Sequence, residues 1–152
     1  MNMKIAMCCD HGGLRLKNVI KQVLETSGHE IVDFGTTNEN SCDYPDFALL
    51  ASEAIVRGEC EKGVFVCTTG IGISIAANKV PGIRCALCAD PLSAKMTRLH
   101  NNANVLALGG GYVGDNLAEE IVKTFMETSF SEEAKHIRRI DKITAIEKKY
   151  LK

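Results

Sequence analysis

A chain of 152 residues, 45% of them hydrophobic, is long enough for one domain, residues 1–152, that buries roughly two-thirds of its unfolded surface in a single core. A formal charge of -1 without a long basic run argues against nucleic acid as partner, and no apolar stretch reaches the roughly twenty residues of a membrane span. Seven cysteines (8, 9, 42, 60, 67, 85 and 88), an odd number without disulfide-framework spacing, indicate reduced thiols and a cytoplasmic location.

Lys4 to Cys9 reads as a short strand closed by Asp10-His11-Gly12-Gly13, and Leu16, Val19, Ile20, Val23 and Leu24 then repeat at helical spacing. Ser27-Gly28 ends that helix, and His29 to Phe34 forms a second strand closed at Gly35. After a polar loop, Tyr44-Pro45-Asp46 starts a helix that Gly58 ends. An apolar strand then runs into Cys67, and a glycine-bearing turn leads to a helix reaching Lys79. Ile83 to Cys88 is a strand, Asp90-Pro91 opens a helix toward His100, Asn104 to Leu108 is a fifth strand, and a helix through Leu117, Ile121, Val122 and Phe125 follows. Five β-α repeats predict a Rossmann-like α/β fold: a five-stranded parallel sheet in order 2-1-3-4-5, with helices on both faces. The tail, 131–152, carries Ile137, Ile140, Ile143 and Ile146 on one stripe. Docking on a partner subunit and packing on its own domain are both open to it.

Cys67 is singled out among the thiols by position, at a strand end followed by a turn whose amides face out from a helix start. Both features favour a thiolate and an anionic intermediate. Gly70-Ile71-Gly72 falls short of a dinucleotide fingerprint, since a third glycine is missing and the strand before it is the third. A thiol phosphatase would place an arginine where Ile73 stands. Cys85 and Cys88, three apart in a strand, point to opposite faces and make no redox or metal clip. His100 is suited either to bind last-turn carbonyls or to transfer a proton near neutral pH. His11 suits a turn or an anion contact, and Asp43 and Tyr44 a helix start. Lys135, His136, Arg138 and Arg139 read by default as a solvated helix face.

Taken together, Asp10-His11-Gly12-Gly13, Asp33-Phe34-Gly35, Asp43-Tyr44-Pro45-Asp46, the run from Cys67 to Arg84, and His100-Asn101-Asn102-Ala103-Asn104 closely resemble the ribose-5-phosphate isomerase B family. The resemblance implies a Rossmann-like dimer or tetramer with sites shared between subunits. It also implies cofactor-free aldose-to-ketose isomerisation of ribose 5-phosphate through an enediolate, with no metal. Cys67 would be the base, Thr69 its support and His100 the proton donor in ring opening. The amides from Thr68 through Gly70 and Ile71 to Gly72, with Asn101, would hold the oxyanion. Asp10 and His11 would contact substrate, Asp43 and Tyr44 would lie near its ring, and Lys135 and Arg139 would reach the phosphate. A branch of the family uses a glutamate base, and Ile73 at that position places this chain with the cysteine branch.

Three positions depart from the family pattern. Thr68 replaces a usual glycine and would be strained if the turn needs a positive φ there. Gly111 replaces an arginine, and Lys135 replaces another, keeping the charge without the bidentate fork. These departures keep two other functions in view: isomerisation of a six-carbon sugar such as allose 6-phosphate or galactose 6-phosphate, and sugar-phosphate binding without catalysis.

Overall fold

The apolar segments become the parallel strands β1 (Lys4–Cys9), β2 (Glu30–Asp33), β3 (Lys62–Cys67), β4 (Cys85–Leu87) and β5 (Val105–Gly109). Between and after them run the helices α1 (Leu14–Thr26), α2 (Tyr44–Val56), α3 (Ile71–Ala77), α4 (Pro91–Asn101), α5 (Asp115–Glu127) and α6 (Ala134–Tyr150). The structure, a computed structural model, describes residues 2–151. Local chemistry sets the boundaries. Asp90 caps α4 by accepting from the Ser93 N–H, with Pro91 in the first turn. The Asn78 side chain stops α3 at Ala77, short of Lys79, by bracketing the Cys85 backbone with bonds of 2.8 and 2.9 Å.

The sheet order is β2-β1-β3-β5-β4, a correction to the sequential order expected of the last two strands. Burial explains it. All five residues of β5 are buried, so β5 takes the interior place beside β3. Cys85-Ala86-Leu87 is short, and its last residue is exposed, which suits an edge. Because β5 turns back inside β4, α4 packs with α5 in the layer of α1, while α2 and α3 cover the other face. The switch between β1 and β3 is retained, so Cys9 and Val66 are register partners and the turns after them emerge side by side.

One buried charge in this frame was invisible to the hydrophobic pattern. Lys17 is 1% exposed, and its Nζ lies 2.7 Å from Asp33 Oδ2 while donating to the Thr36 carbonyl at 3.3 Å. Asp33 Oδ1 accepts from the Gly35 N–H, so this pair anchors the loop that leads from β2 to Asp43. Losing one partner of a buried ion pair costs about 3 kcal/mol, and Lys21, 3.7 Å from the same Asp33 oxygen, would remain as a nearby cation and keeps the cost at the low end of the range. Lys17→Met is therefore expected to lower the thermal midpoint by roughly 6–12 °C. A midpoint within about 2 °C of the parent in calorimetry would contradict the anchoring role.

Helix α6 is seated on its own domain through α4. Glu147 accepts from the Gly82 N–H at 3.2 Å, and a groove of about 750 Å³ remains between Ile143, Ile146 and Tyr150 on α6 and Ile83 and Ala103 beneath. Ile137, Ile143 and Ile146 remain exposed in the single chain. Among the described residues no helix is long and apolar enough to cross a membrane.

Candidate active site

Close backbone approaches bring three turns together at the carboxyl ends of β1, β3 and β5. A side chain on Gly13 would collide with the Val66 carbonyl, so only glycine lets the β1 turn lie against β3. Gly70 adopts φ of 75°, and a Cβ there would lie 2.7 Å from the Leu108 carbonyl carbon and 2.9 Å from the Gly109 nitrogen. The turn after β3 is thereby pressed onto β5.

Cys67 ends β3 and is 4% exposed. The Gly70 N–H donates to its Sγ at 3.1 Å, a bond that is stronger when the sulfur carries charge. Thr69 Oγ1 accepts from the Ile71 N–H at 3.1 Å, leaving its own hydroxyl proton free to donate outward. These two bonds engage the amides of Gly70 and Ile71, two of the run expected to hold an oxyanion, within the turn itself. Among the described residues, the N–H groups of Thr68, Thr69 and Gly72 have no acceptor in the chain. Those three are available to a ligand.

Thr68 is not strained. Among the described residues, positive φ outside glycine occurs only at Asn102 and Glu132, and Gly70 takes the left-handed place in this turn. The Thr68 side chain fills the space beside Gly12, where a Cβ would collide with its Oγ1. A Cβ on Gly111 would lie 3.2 Å from Thr68 Cγ2. Beyond Gly111, Arg15 at the start of α1 makes a bidentate pair with Asp115 at the start of α5, at 2.9 and 3.1 Å, latching these two turns.

Asp10 is 6% exposed and accepts from the Gly13 N–H at 3.1 Å, which fixes the strand-to-helix turn. His11 Nδ1 accepts from the Cys42 N–H at 3.2 Å. In the neutral ring the proton therefore sits on Nε2. A cleft of about 560 Å³ is walled by Asp10, His11, Cys42, Asp43, Tyr44 and Asp46. The Tyr44 ring lies over Gly72, where a Cβ would come 2.8 Å from the hydroxyl oxygen. Asp10, His11, Asp43, Tyr44, Cys67, Thr68, Thr69, Gly70, Ile71 and Gly72 thus gather at the carboxyl ends of the strands. Cys42, which orients His11, was missed because a cysteine in a polar loop carries no periodic signal.

His100, Asn101, Lys135 and Arg139 do not join them within one chain. Helix α4 runs antiparallel to the strands, so its last turn lies at their amino ends, where Asn104 accepts from the Gly63 N–H at the start of β3. The two ends of β3 are roughly 16 Å apart. At that far end the His100 and His136 rings stack with centroids 4.4 Å apart, and Lys135 and Arg139 flank His136 on α6. Arg98 is buried there and donates to the carbonyls of Ala103 and Thr128, rooting the end of α4. Two polar clusters therefore lie at opposite ends of the strands. One holds the thiol and the turn amides; the other holds the exposed imidazole and two exposed cations.

The chain matches the Ribose/Galactose Isomerase family over residues 5–143. It is similar to the solved structure of Clostridium thermocellum ribose-5-phosphate isomerase B, with a TM-score of 0.96 and 51% identity over 98% of this chain and 100% of that one. A structure of ribose-5-phosphate isomerase B from Mycoplasma genitalium with bound ribulose-5-phosphate superposes with a TM-score of 0.90 at 39% identity, covering 95% of this chain and 96% of that one. The Escherichia coli ribose-5-phosphate isomerase B is 44% identical over 96% of this chain and 97% of its own length. Fold, ordered motifs and full-length similarity agree, and the chain belongs to the Ribose/Galactose Isomerase family.

Proposed function

We propose that this protein interconverts ribose 5-phosphate and ribulose 5-phosphate, without a cofactor, in a site assembled from two copies of the chain. The observation that carries the reading is the thiol of Cys67, held by the Gly70 amide at a strand end and bordered by free N–H groups. The similarity to ribose-5-phosphate isomerase B proteins over nearly the whole chain supports it.

Ring opening comes first. His100 of a second copy gives a proton to O4 as the C1–O4 bond breaks, and the C1 hydroxyl becomes the aldehyde as its proton leaves to water. The Cys67 thiolate then takes the C2 proton, and the C–H electrons form the C1–C2 double bond while O1 becomes the oxyanion. Amides of Thr68, Thr69 and Gly72, with Asn101 of the second copy, stabilise that charge. The proton on O2 passes to O1, with the Thr69 hydroxyl beside the path. Return of the proton from Cys67 to C1 leaves the ketone at C2. His11, through Nε2–H, and Asp10 bind substrate, with Asp43 and Tyr44 near the sugar. Lys135 and Arg139 of the second copy hold the phosphate. The apolar stripe of α6 adjoins this second half-site and favours a homodimer or homotetramer. A soluble cytoplasmic enzyme fits the free thiols and the sugar-phosphate substrate.

A second reading, an aldose 6-phosphate isomerase, is favoured by Gly111, which puts no side chain on the turn beside Thr68. The 39% identity to the galactose-6-phosphate isomerase subunit LacB of Clostridium acetobutylicum, over 93% of this chain and 83% of that one, is consistent with it. The kcat/KM values for ribose 5-phosphate, allose 6-phosphate and galactose 6-phosphate separate the readings. Ribose 5-phosphate is expected to lead by about tenfold or more, since one extra carbon changes selectivity by roughly 10–200-fold. A lead for either six-carbon sugar transfers the assignment to the second reading, and binding without turnover overturns both.

A further inference from the structure

The buried imidazole of His136 lies outside the machinery named so far. His136 lies in the first turn of α6, amid charged neighbours, yet it is 5% exposed. Its imidazole is nearly parallel to that of His100, at 9° between planes and 4.4 Å between centroids. Both ends of the stack are fastened to backbone. The Ser131 N–H donates to the Leu99 carbonyl at 3.3 Å, tying the approach to α6 onto the last turn of α4, and the His136 N–H donates to the Glu133 carbonyl at 2.9 Å. The groups around His136 are His100, the Glu133 carboxylate at 4.0 Å, Lys135 and Arg139. Burial, and then the neighbouring His100, push the His136 pKa below its ordinary value. The flat face of the buried His136 ring is a surface on which the exposed His100 imidazole stacks.

His100 itself is exposed, and a surface histidine with no packing partner would sample several rotamers. A ring held in one rotamer keeps its nitrogens aimed in one direction. We infer that His136 is a positioning residue whose ring, stacked on His100, holds that imidazole in the orientation that protonates O4 during ring opening. This rests on the assignment of His100 as the ring-opening acid. His136 touches no reacting atom; it acts through His100.

Support of His100 by His136 bears on ring opening and not on proton abstraction at carbon. Ribulose 5-phosphate has no ring to open, because the hydroxyl that would close a five-membered hemiketal carries the phosphate. Exchange of its C1 proton with deuterated water therefore reads proton abstraction alone, whereas turnover of ribose 5-phosphate also requires ring opening. His136→Ala is expected to lower kcat from ribose 5-phosphate by about 10- to 100-fold while C1 exchange stays within about threefold of the parent. His136→Phe, which restores a flat ring without a titrating nitrogen, is expected to recover most of the lost turnover. If His136→Ala does not fold, His136→Gln serves the same comparison, since it keeps a polar side chain without a ring. Equal losses in turnover and exchange would mean that His136 merely anchors α6, and unchanged turnover would mean that His100 needs no support; either overturns the inference. A parent protein that turns over neither sugar overturns the isomerase reading and this inference with it, a result distinct from an active parent whose His136 variants show no split.

Discussion

Replacing Cys67 with alanine is expected to lower kcat for ribose 5-phosphate by about 10³-fold or more, while affinity for the sugar phosphate changes by less than about threefold. The size follows from the role. A thiolate that removes the C2 proton contributes only in the transition state, and a positioned base supplies about 10²–10⁴-fold. In the proposed mechanism ground-state binding falls to other groups, namely His11, Asp10 and the turn amides at one end of the strands and the cations of α6 at the other. Cys67→Ser tests the chemistry more narrowly, since the hydroxyl has similar shape but is far less acidic, and its loss is expected to approach that of alanine. Steady-state kinetics paired with calorimetric binding check both halves. A Cys67→Ala protein retaining a tenth of parental activity would remove Cys67 as the base.

Much of this site is legible in the sequence because it sits where strands end. A strand followed by Asp10-His11-Gly12-Gly13, and another followed by Cys67-Thr68-Thr69-Gly70, needs only the parallel topology to place both turns at one end of the strands, and the β1/β3 pairing does so. The order of the last two strands was not legible from alternation alone. It turns on which of two apolar runs is long enough to be buried on both sides, and Val105–Gly109 exceeds Cys85–Leu87 in that respect. Lys17 was hidden for a different reason. The helical repeat of Leu16, Ile20 and Leu24 marks a buried face, and a lysine within that face is interpretable only once Asp33 is known to meet it.

Thr68 is instructive in the opposite direction. Counting it as a departure from a usual glycine raised a question of backbone strain, and the geometry answers it, because Gly70 carries the left-handed conformation and Thr68 does not. The consequence moves from strain to space. Threonine at 68 is compatible with glycine at 12 and at 111, since larger groups there would meet its side chain. Lysine at 135 keeps the charge of an arginine without its bidentate fork, and at the proposed phosphate site that difference would be roughly 1.5–3 kcal/mol where a charge-assisted bond is lost outright.

His100 and Cys67 lie at opposite ends of the strands of one chain, so in the proposed mechanism each active site draws on two copies. Mixing equal amounts of a Cys67→Ala chain and a His100→Ala chain, each nearly inactive alone, is expected to give heterodimers in half of the dimers after subunit exchange. Each heterodimer would combine an intact Cys67 from one copy with an intact His100 from the other at one of its two sites. Recovered activity should then reach about a quarter of the parental value. A reciprocal control mixes the parent with the Cys67→Ala/His100→Ala double variant. There every heterodimer site lacks one group, so activity should fall to about a quarter instead of the half expected for sites within one chain. Complementation in the first mixture to about a quarter of parental turnover is the predicted result; no recovery after demonstrated subunit exchange would contradict the two-copy site.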